Sequence, residues 1–230
     1  MLREDAGRLI SKNAKTEISH SGVRVFNARH RSIRQLKRSH TPAIFGYRVW
    51  KSSWLLIDYI RQEGLSDGLR IMDVGCGWGL AGIYCAKQHQ ARVTCVDADD
   101  GVFPFLRFHS DLNQVEIETR HLNFGQLTDE HFTGIDMMIG ADICFWNDLV
   151  DPVISMIRRA QASGVRLILI ADPGRTPFEE VGRRYDDENP GLILNRRISR
   201  PYQFEGRILK IGSLTGFRPD LHAPSPRHSG

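Results

Sequence analysis

Three glycines at alternate positions where a short strand ends constrain this chain more than any other feature. They are Gly75, Gly77 and Gly79 in Asp73-Val74-Gly75-Cys76-Gly77-Trp78-Gly79. Glycine there lets the backbone turn tightly and approach a ligand with no Cβ in the way. A helix expected over 80–88 aims its first N–H groups at the same spot. Twenty-two residues past Gly75, a second expected strand ends in Val96-Asp97. A carboxylate there can accept hydrogen bonds from the vicinal hydroxyls of a ribose, each worth roughly 1.5–3 kcal/mol. The run also spells GxGxxG through Gly77, Gly79 and Gly82, the dinucleotide fingerprint, with Asp97 at a permissible distance. That register places Asp73 inside the strand, where an unpaired carboxylate is costly. It also asks for a separate substrate domain, for which 230 residues leave no room. The GxGxG register puts Asp73 at the strand mouth, in reach of a ligand.

Periodicity supplies the frame around the turn. No internal repeat is present, and from about residue 46 helical and strand patterns alternate, as in a parallel sheet covered on both faces. A helix is expected over 49–63, with Trp50, Trp54 and Ile57 on one face. Strands are expected over 69–74, 91–97, 115–121, 135–141 and 165–171. The last is a continuous apolar run, as a strand buried on both faces requires. Helices are expected over 80–88, 100–113, 149–162 and 177–185, with Phe103, Phe105 and Phe108 read as core. Two further strands, 191–198 and 207–211, are separated only by a turn at Pro201. They have no room for a crossover and must form an antiparallel hairpin. The expected fold class is therefore α/β: five parallel strands plus a C-terminal antiparallel hairpin, with helices on both faces.

Charge divides the chain in two. Residues 1–45 hold ten Lys or Arg against three acids, while the remaining 185 hold 21 against 24. The whole excess of +4 thus sits in a basic N-terminal arm, expected to be partly disordered, ahead of a body over 46–216 and a flexible tail over 217–230. An arm of that sign can meet an acidic partner or a phosphate backbone, so a nucleic-acid partner is conceivable only through it. No run of eighteen apolar residues occurs, which argues against a membrane-spanning helix. The first residues lack an apolar h-region, and Glu4, Asp5 and Glu17 weaken an organellar presequence, so a cytoplasmic setting is expected. Cys76, Cys85, Cys95 and Cys144 form no CxxC pair, and His20, His30 and His40 have no ligand spacing. Buried reduced thiols and no metal are the expectation.

The run DVGCGWG followed by VDADD resembles motifs one and two of the class I, seven-β-strand S-adenosylmethionine-dependent methyltransferases, whose Rossmann-like sheet ends in the same hairpin. Gly140-Ala141-Asp142-Ile143-Cys144-Phe145 resembles the Asp-x-x-Tyr/Phe motif after strand four of the protein-lysine methyltransferases in that superfamily. Ala171-Asp172-Pro173-Gly174-Arg175 is similar to a segment after strand five in a narrower branch. That branch holds the electron-transfer-flavoprotein β-subunit lysine methyltransferase and bacterial nicotinamide N-methyltransferase-like proteins. The resemblance runs from about residue 47 to 178. It implies S-adenosyl-L-methionine as cofactor and S-adenosyl-L-homocysteine as product. It implies that Asp73, Gly75 and Gly79, with Gly77 in the same turn, meet the methionine end, and that Asp97 meets the ribose. Asn123 falls where an acid commonly accepts from the adenine amino group, a role its amide oxygen can fill. Trp50 stands where the branch has an aromatic near the cofactor, or else packs helix against sheet.

For the acceptor, the resemblance implies a protein lysine, with Asp142 capturing the amine and Phe145 and Trp146 walling its channel. A small-molecule, nicotinamide-like acceptor is the alternative, because a pyridine nitrogen needs no base. From a different class, the basic arm allows a nucleic-acid-binding module with a vestigial cofactor fold. Exocyclic base amines are disfavoured, since Ala-Asp-Ile-Cys replaces the Asn-Pro-Pro-Tyr-like loop. C5-pyrimidine methylation needs an attacking cysteine, and Cys144 lacks the Pro-Cys context.

Overall fold

A computed structural model describes residues 16–186 and 192–214. In chain order these form a hairpin of β1 (Glu17–His20) and β2 (Val23–Phe26), then helices α1 (Arg31–Ser39) and α2 (Lys51–Glu63). There follow β3 (Arg70–Val74), α3 (Leu80–His89), β4 (Arg92–Asp97), α4 (Phe103–Asn113), β5 (Glu118–His121) and the single turn α5 (Asp129–Phe132). Then come β6 (Met137–Ala141), α6 (Val150–Ala162), β7 (Leu167–Asp172), α7 (Thr176–Asp186), β8 (Leu192–Ile198) and β9 (Phe204–Gly212). The seven-stranded sheet has the order β5-β4-β3-β6-β7-β9-β8. Strands β3 to β7 pair in parallel, and β9 runs antiparallel to both β7 and β8. The expected fold class is the one found. Among the described residues, no helix is long and apolar enough to cross a membrane.

The sheet divides the core by the alternation of its strands. Ile71, Ile139 and Leu169 join Trp54, Leu55 and Ile83 on one side. Met72, Met138 and Ile168 join Val153, Ile157 and Phe178 on the other. Strand β7 is buried along its whole length, as its unbroken apolar run requires. Trp50 departs from the expected helix face: it is the residue just before α2, while Trp54 and Ile57 are fully buried against the sheet. Strand β5 is shorter than expected because it lies at the sheet edge with only one partner.

The basic arm is where expectation and structure part. Residues 1–15 and 217–230 lie outside the described residues, but 16–45 are folded onto the body. The β1–β2 hairpin buries Val23 and Val25 in the same cluster as Trp54 and Tyr84. Ile33 of α1 is buried with Trp78 and Phe105. Two side chains of α4 clasp β2 by its backbone. Asn113 accepts from the Arg24 N–H at 2.8 Å and donates to the Arg24 carbonyl at 2.7 Å. His109 Nε2 accepts from the Phe26 N–H at 3.1 Å, while its Nδ1 lies 2.7 Å from the Phe105 carbonyl. Burial lowers the His109 pKa to about 4, which keeps the ring neutral and able to accept. The Lys and Arg side chains of this segment point outward from an apolar underside, so its composition conceals a packing face.

Candidate active site

The turn after β3 opens into a cavity of about 300 Å³. Gly75, Gly77, Asp97 and Asn123 line it toward β4 and β5, and Asp142, Phe145, Trp146 and Arg175 line it toward β6 and β7. At Gly77, with φ +53°, an added Cβ would meet no atom within 4 Å. The bare backbone therefore leaves a cradle that a ligand can fill, and no packing of the protein itself asks for that space. Asp97 braces the cradle: its carboxylate accepts from the Gly77 N–H at 2.9 Å and the Asp99 N–H at 3.0 Å. Burial raises its pKa and these N–H groups oppose the rise. Each oxygen retains a second lone pair for a hydroxyl.

Two residues expected to meet the ligand at the turn also have partners within the fold. Asp73 is not at the strand mouth; it lies inside β3 between Cys95 and Ile139 of the flanking strands. Its carboxylate accepts from the Gly82 N–H in the first turn of α3 at 3.0 Å, and burial pushes its pKa up to about 7. The helix N-terminus answers the cost that had argued against a buried Asp73. Asp73 lines a narrow cleft that adjoins the cavity, the two sharing Trp50, Gly75, Gly77 and Ala141. Gly79 lines neither space. It is the residue before α3, at φ +71°, and a Cβ there would meet Leu106 at 2.8 Å, so its glycine serves the fold. Asn123 does line the cavity, but its amide oxygen already accepts from the Gly125 and Gln126 N–H groups at 2.9 and 3.1 Å. The oxygen expected for an adenine amino group is committed to its own loop.

Toward β6 the structure supplies a partner that the sequence reading missed. Asp142 follows β6 with φ +60°, a left-handed conformation uncommon outside glycine, and donates its N–H to the Ala171 carbonyl at 2.8 Å. The Arg175 guanidinium hydrogen-bonds Asp142 and lies 3.2 Å from Asp172. Asp172 in turn accepts from the Gly174 and Arg175 N–H groups at 2.8 and 2.7 Å. Burial raises the Asp142 pKa, with Ser52 at the start of α2 and the Arg175 cation opposing it. Burial likewise raises Asp172, against the N–H and charge of Arg175. Two carboxylates about one cation leave a single net negative charge. The signal was present: Ala141 and Ala171 are cross-strand partners, so the next residues, both Asp, must emerge side by side and need a cation.

An aromatic rim closes the cavity mouth. Phe45 meets Phe145 at 5.1 Å and Trp146 at 5.5 Å between ring centroids, and Phe145 meets Trp146 at 4.7 Å. Trp50 lines the cavity and donates its Nε1–H to the Phe45 carbonyl at 3.0 Å. Phe45 was missed because it lies in the segment read as arm. That segment is pinned by Asp99, which accepts from the Ile44 N–H at 2.8 Å, and by Trp78 Nε1–H, which donates to the Gly46 carbonyl at 2.8 Å. Cys144 is buried and its thiol is pushed up to about 12 by desolvation, so it is no nucleophile near neutral pH. Among the described residues, no group of His, Cys, Asp and Glu could hold a metal ion.

Known proteins resemble this chain in sequence and in fold. A family model described as lysine methyltransferase matches residues 33–180. The ribosomal protein L11 methyltransferase of Caldicellulosiruptor saccharolyticus is 28% identical over 50% of this chain and 34% of its own. The protein N-terminal and lysine N-methyltransferase EFM7 of Cryptococcus neoformans is 22% identical over 72% of this chain and 54% of its own. The protein-lysine N-methyltransferase rrg1 of Schizosaccharomyces pombe is 29% identical over 51% and 36%. The chain thus spans between about a third and about half the length of these relatives. Among solved structures, a methyltransferase from Pyrococcus furiosus superposes with TM-score 0.54 at 12% identity, covering 74% of this chain and 92% of that one.

Proposed function

Since the chain belongs to the lysine methyltransferase family, we propose that it is an S-adenosylmethionine-dependent N-methyltransferase that modifies a lysine side chain of a protein. The observation that carries this reading is one cavity flanked by a glycine cradle with Asp97 and by the Asp142–Arg175–Asp172 cluster under aromatic walls. S-adenosylmethionine, when bound, supplies a methyl group on a sulfonium, open to in-line displacement. Asp97 holds the ribose hydroxyls, and the bare backbone at Gly77 lets the cofactor lie against the turn.

A lysine amine of pKa ~10.4 is neutral in only about one molecule in 2,500 at pH 7, and baring it there costs roughly 4.6 kcal/mol. A lone carboxylate beside it would raise that cost. Here Arg175 cancels much of the Asp142 charge, so the cluster attracts and aims the ammonium while holding its proton less firmly. Phe145 and Trp146 offer ring faces to the same cation and keep water away. The proton leaves to solvent before transfer. The inert Cys144 supports an amine acceptor over carbon methylation of a pyrimidine.

The test is incubation of the purified chain with methyl-labelled S-adenosylmethionine and a cell lysate, followed by acid hydrolysis of the protein fraction. Label should appear in methyllysine. Label confined to small molecules would overturn the protein reading in favour of a nicotinamide-like acceptor.

A further inference from the structure

Behind the cluster lies a second and larger space, a groove of about 720 Å³. Its boundary with the cofactor cavity is formed by Trp50, Asp142 and Arg175, which line both. The N-terminal hairpin forms one bank of the groove and the β8–β9 hairpin the other, with Phe26 from the first and Tyr202 and Phe204 from the second. An acceptor lying here would reach the shared wall from the side away from the glycine cradle.

The charge along the groove is unusual. Arg29, Arg48 and Lys51 line it and are exposed, and none forms an ion pair with a carboxylate among the described residues, although Arg48 is near enough to Asp142 to oppose the rise in its pKa. Arg48 lies over the Trp50 ring at 4.0 Å, and Lys51 sits 5.7 and 5.8 Å from the rings of Tyr202 and Phe204. These contacts set the two charged heads against aromatic faces without a carboxylate to neutralise them. A bare lysine approaching Asp142 by this route would be repelled at the rim. The repulsion vanishes if the acceptor brings carboxylates on either side of its lysine.

We propose that this groove is the protein-acceptor site, and that it selects a lysine set in an acidic segment, whose carboxylates pair with Arg29, Arg48 and Lys51 while the lysine reaches the wall at Asp142. The inference rests on the lysine reading above and names its substrate class. The experiment uses the full chain and three otherwise identical lysine peptides, flanked by aspartate, by serine or by arginine. Methylation rates are measured with S-adenosylmethionine, and peptide binding in the presence of S-adenosylhomocysteine. The aspartate peptide should exceed the serine peptide by about tenfold in kcat/KM, and the margin should shrink with salt, as for several exposed ion pairs. In the Arg29→Gln/Lys51→Gln double variant the margin should fall toward unity, with S-adenosylhomocysteine affinity retained.

Equal rates for the three peptides, or a margin that survives the double variant, would overturn the groove assignment while leaving lysine methylation standing. Binding of the aspartate peptide that is sensitive to the variant, with no methylation of any peptide, would instead overturn the lysine reading. Displacement of the bound peptide by polyuridylate more readily than by polyglutamate would assign the cations to nucleic-acid phosphate and sink the proposal.

Discussion

The glycine-turn region and the N-terminal layer both depend on buried polar side chains that grip backbone, but they draw their partners from very different distances. Asp97 reaches an N–H twenty residues away and Asp73 one nine residues away. Asn113 and His109 hold β2 across 89 and 83 residues. The turn is thus specified by its own neighbourhood, and the N-terminal layer by a helix far downstream. A region built locally keeps its shape when a remote one is disturbed, and the reverse should also hold.

The largest effect should come from Asp97→Ala. Loss of two charge-assisted hydrogen bonds at roughly 1.5–3 kcal/mol each should weaken S-adenosylhomocysteine binding by about a hundredfold or more. Calorimetric titration measures this, and titration with NAD beside it tests the rival reading of the glycines. Amide exchange at Arg24 and Phe26 should stay as in the parent. Undiminished affinity would mean that the ribose lies elsewhere.

Asn113→Ala should act on the other region. It leaves the Arg24 N–H and carbonyl without their partner, at a cost of about 1–3 kcal/mol, so exchange at Arg24 should accelerate and thermal stability fall. Cofactor affinity should barely change. If it drops as far as in Asp97→Ala, the two regions are one unit and the comparison fails.

A third contrast is a pair of opposed pH responses. Asp73 has a folded pKa of about 7, above the ~3.9 of an unfolded chain, so its contribution to stability is present below pH ~4 and lost as pH rises through 7. His109 has a folded pKa of about 4, below the unfolded ~6.5, so its contribution is present above pH ~6.5 and lost as pH falls through 4. Overall stability should therefore fall toward neutral pH through Asp73, and exchange protection at Phe26, corrected for intrinsic rates, should weaken toward acid. Asp73→Asn should flatten the first trend alone. Parallel trends in the two measurements would contradict the assignment.

What was legible follows the same division. The strand order and closing hairpin could be read because period-two and period-3.6 patterns are local, and a short link at Pro201 forbids a crossover. That Gly77 and Asp97 meet at one cavity could be read because a strand-end glycine turn and a strand-end acid stand at a fixed spacing. The burial of Asp73 was not legible because its partner, the Gly82 N–H, is a backbone group that no residue type announces. The N-terminal layer looked like a solvated arm because its cations face outward while Val23, Val25 and Ile33 face inward over stretches too short to show a period. Arg175 stands out in the sequence only through a family-like segment, although the register of β6 and β7 demands a cation between their ends.

That cation ties three positions into one heritable unit. Were Arg175 to become neutral, Asp142 and Asp172 would lose their shared cation and one of them would take up a proton, at a cost of about 3–5 kcal/mol for the broken pair. In a chain descended from this one, losing the arginine is eased by surrendering one of the acids in the same lineage, and regaining it is favoured beside a restored pair. Homologous sequences should therefore show these three positions changing together, whatever amine each enzyme serves.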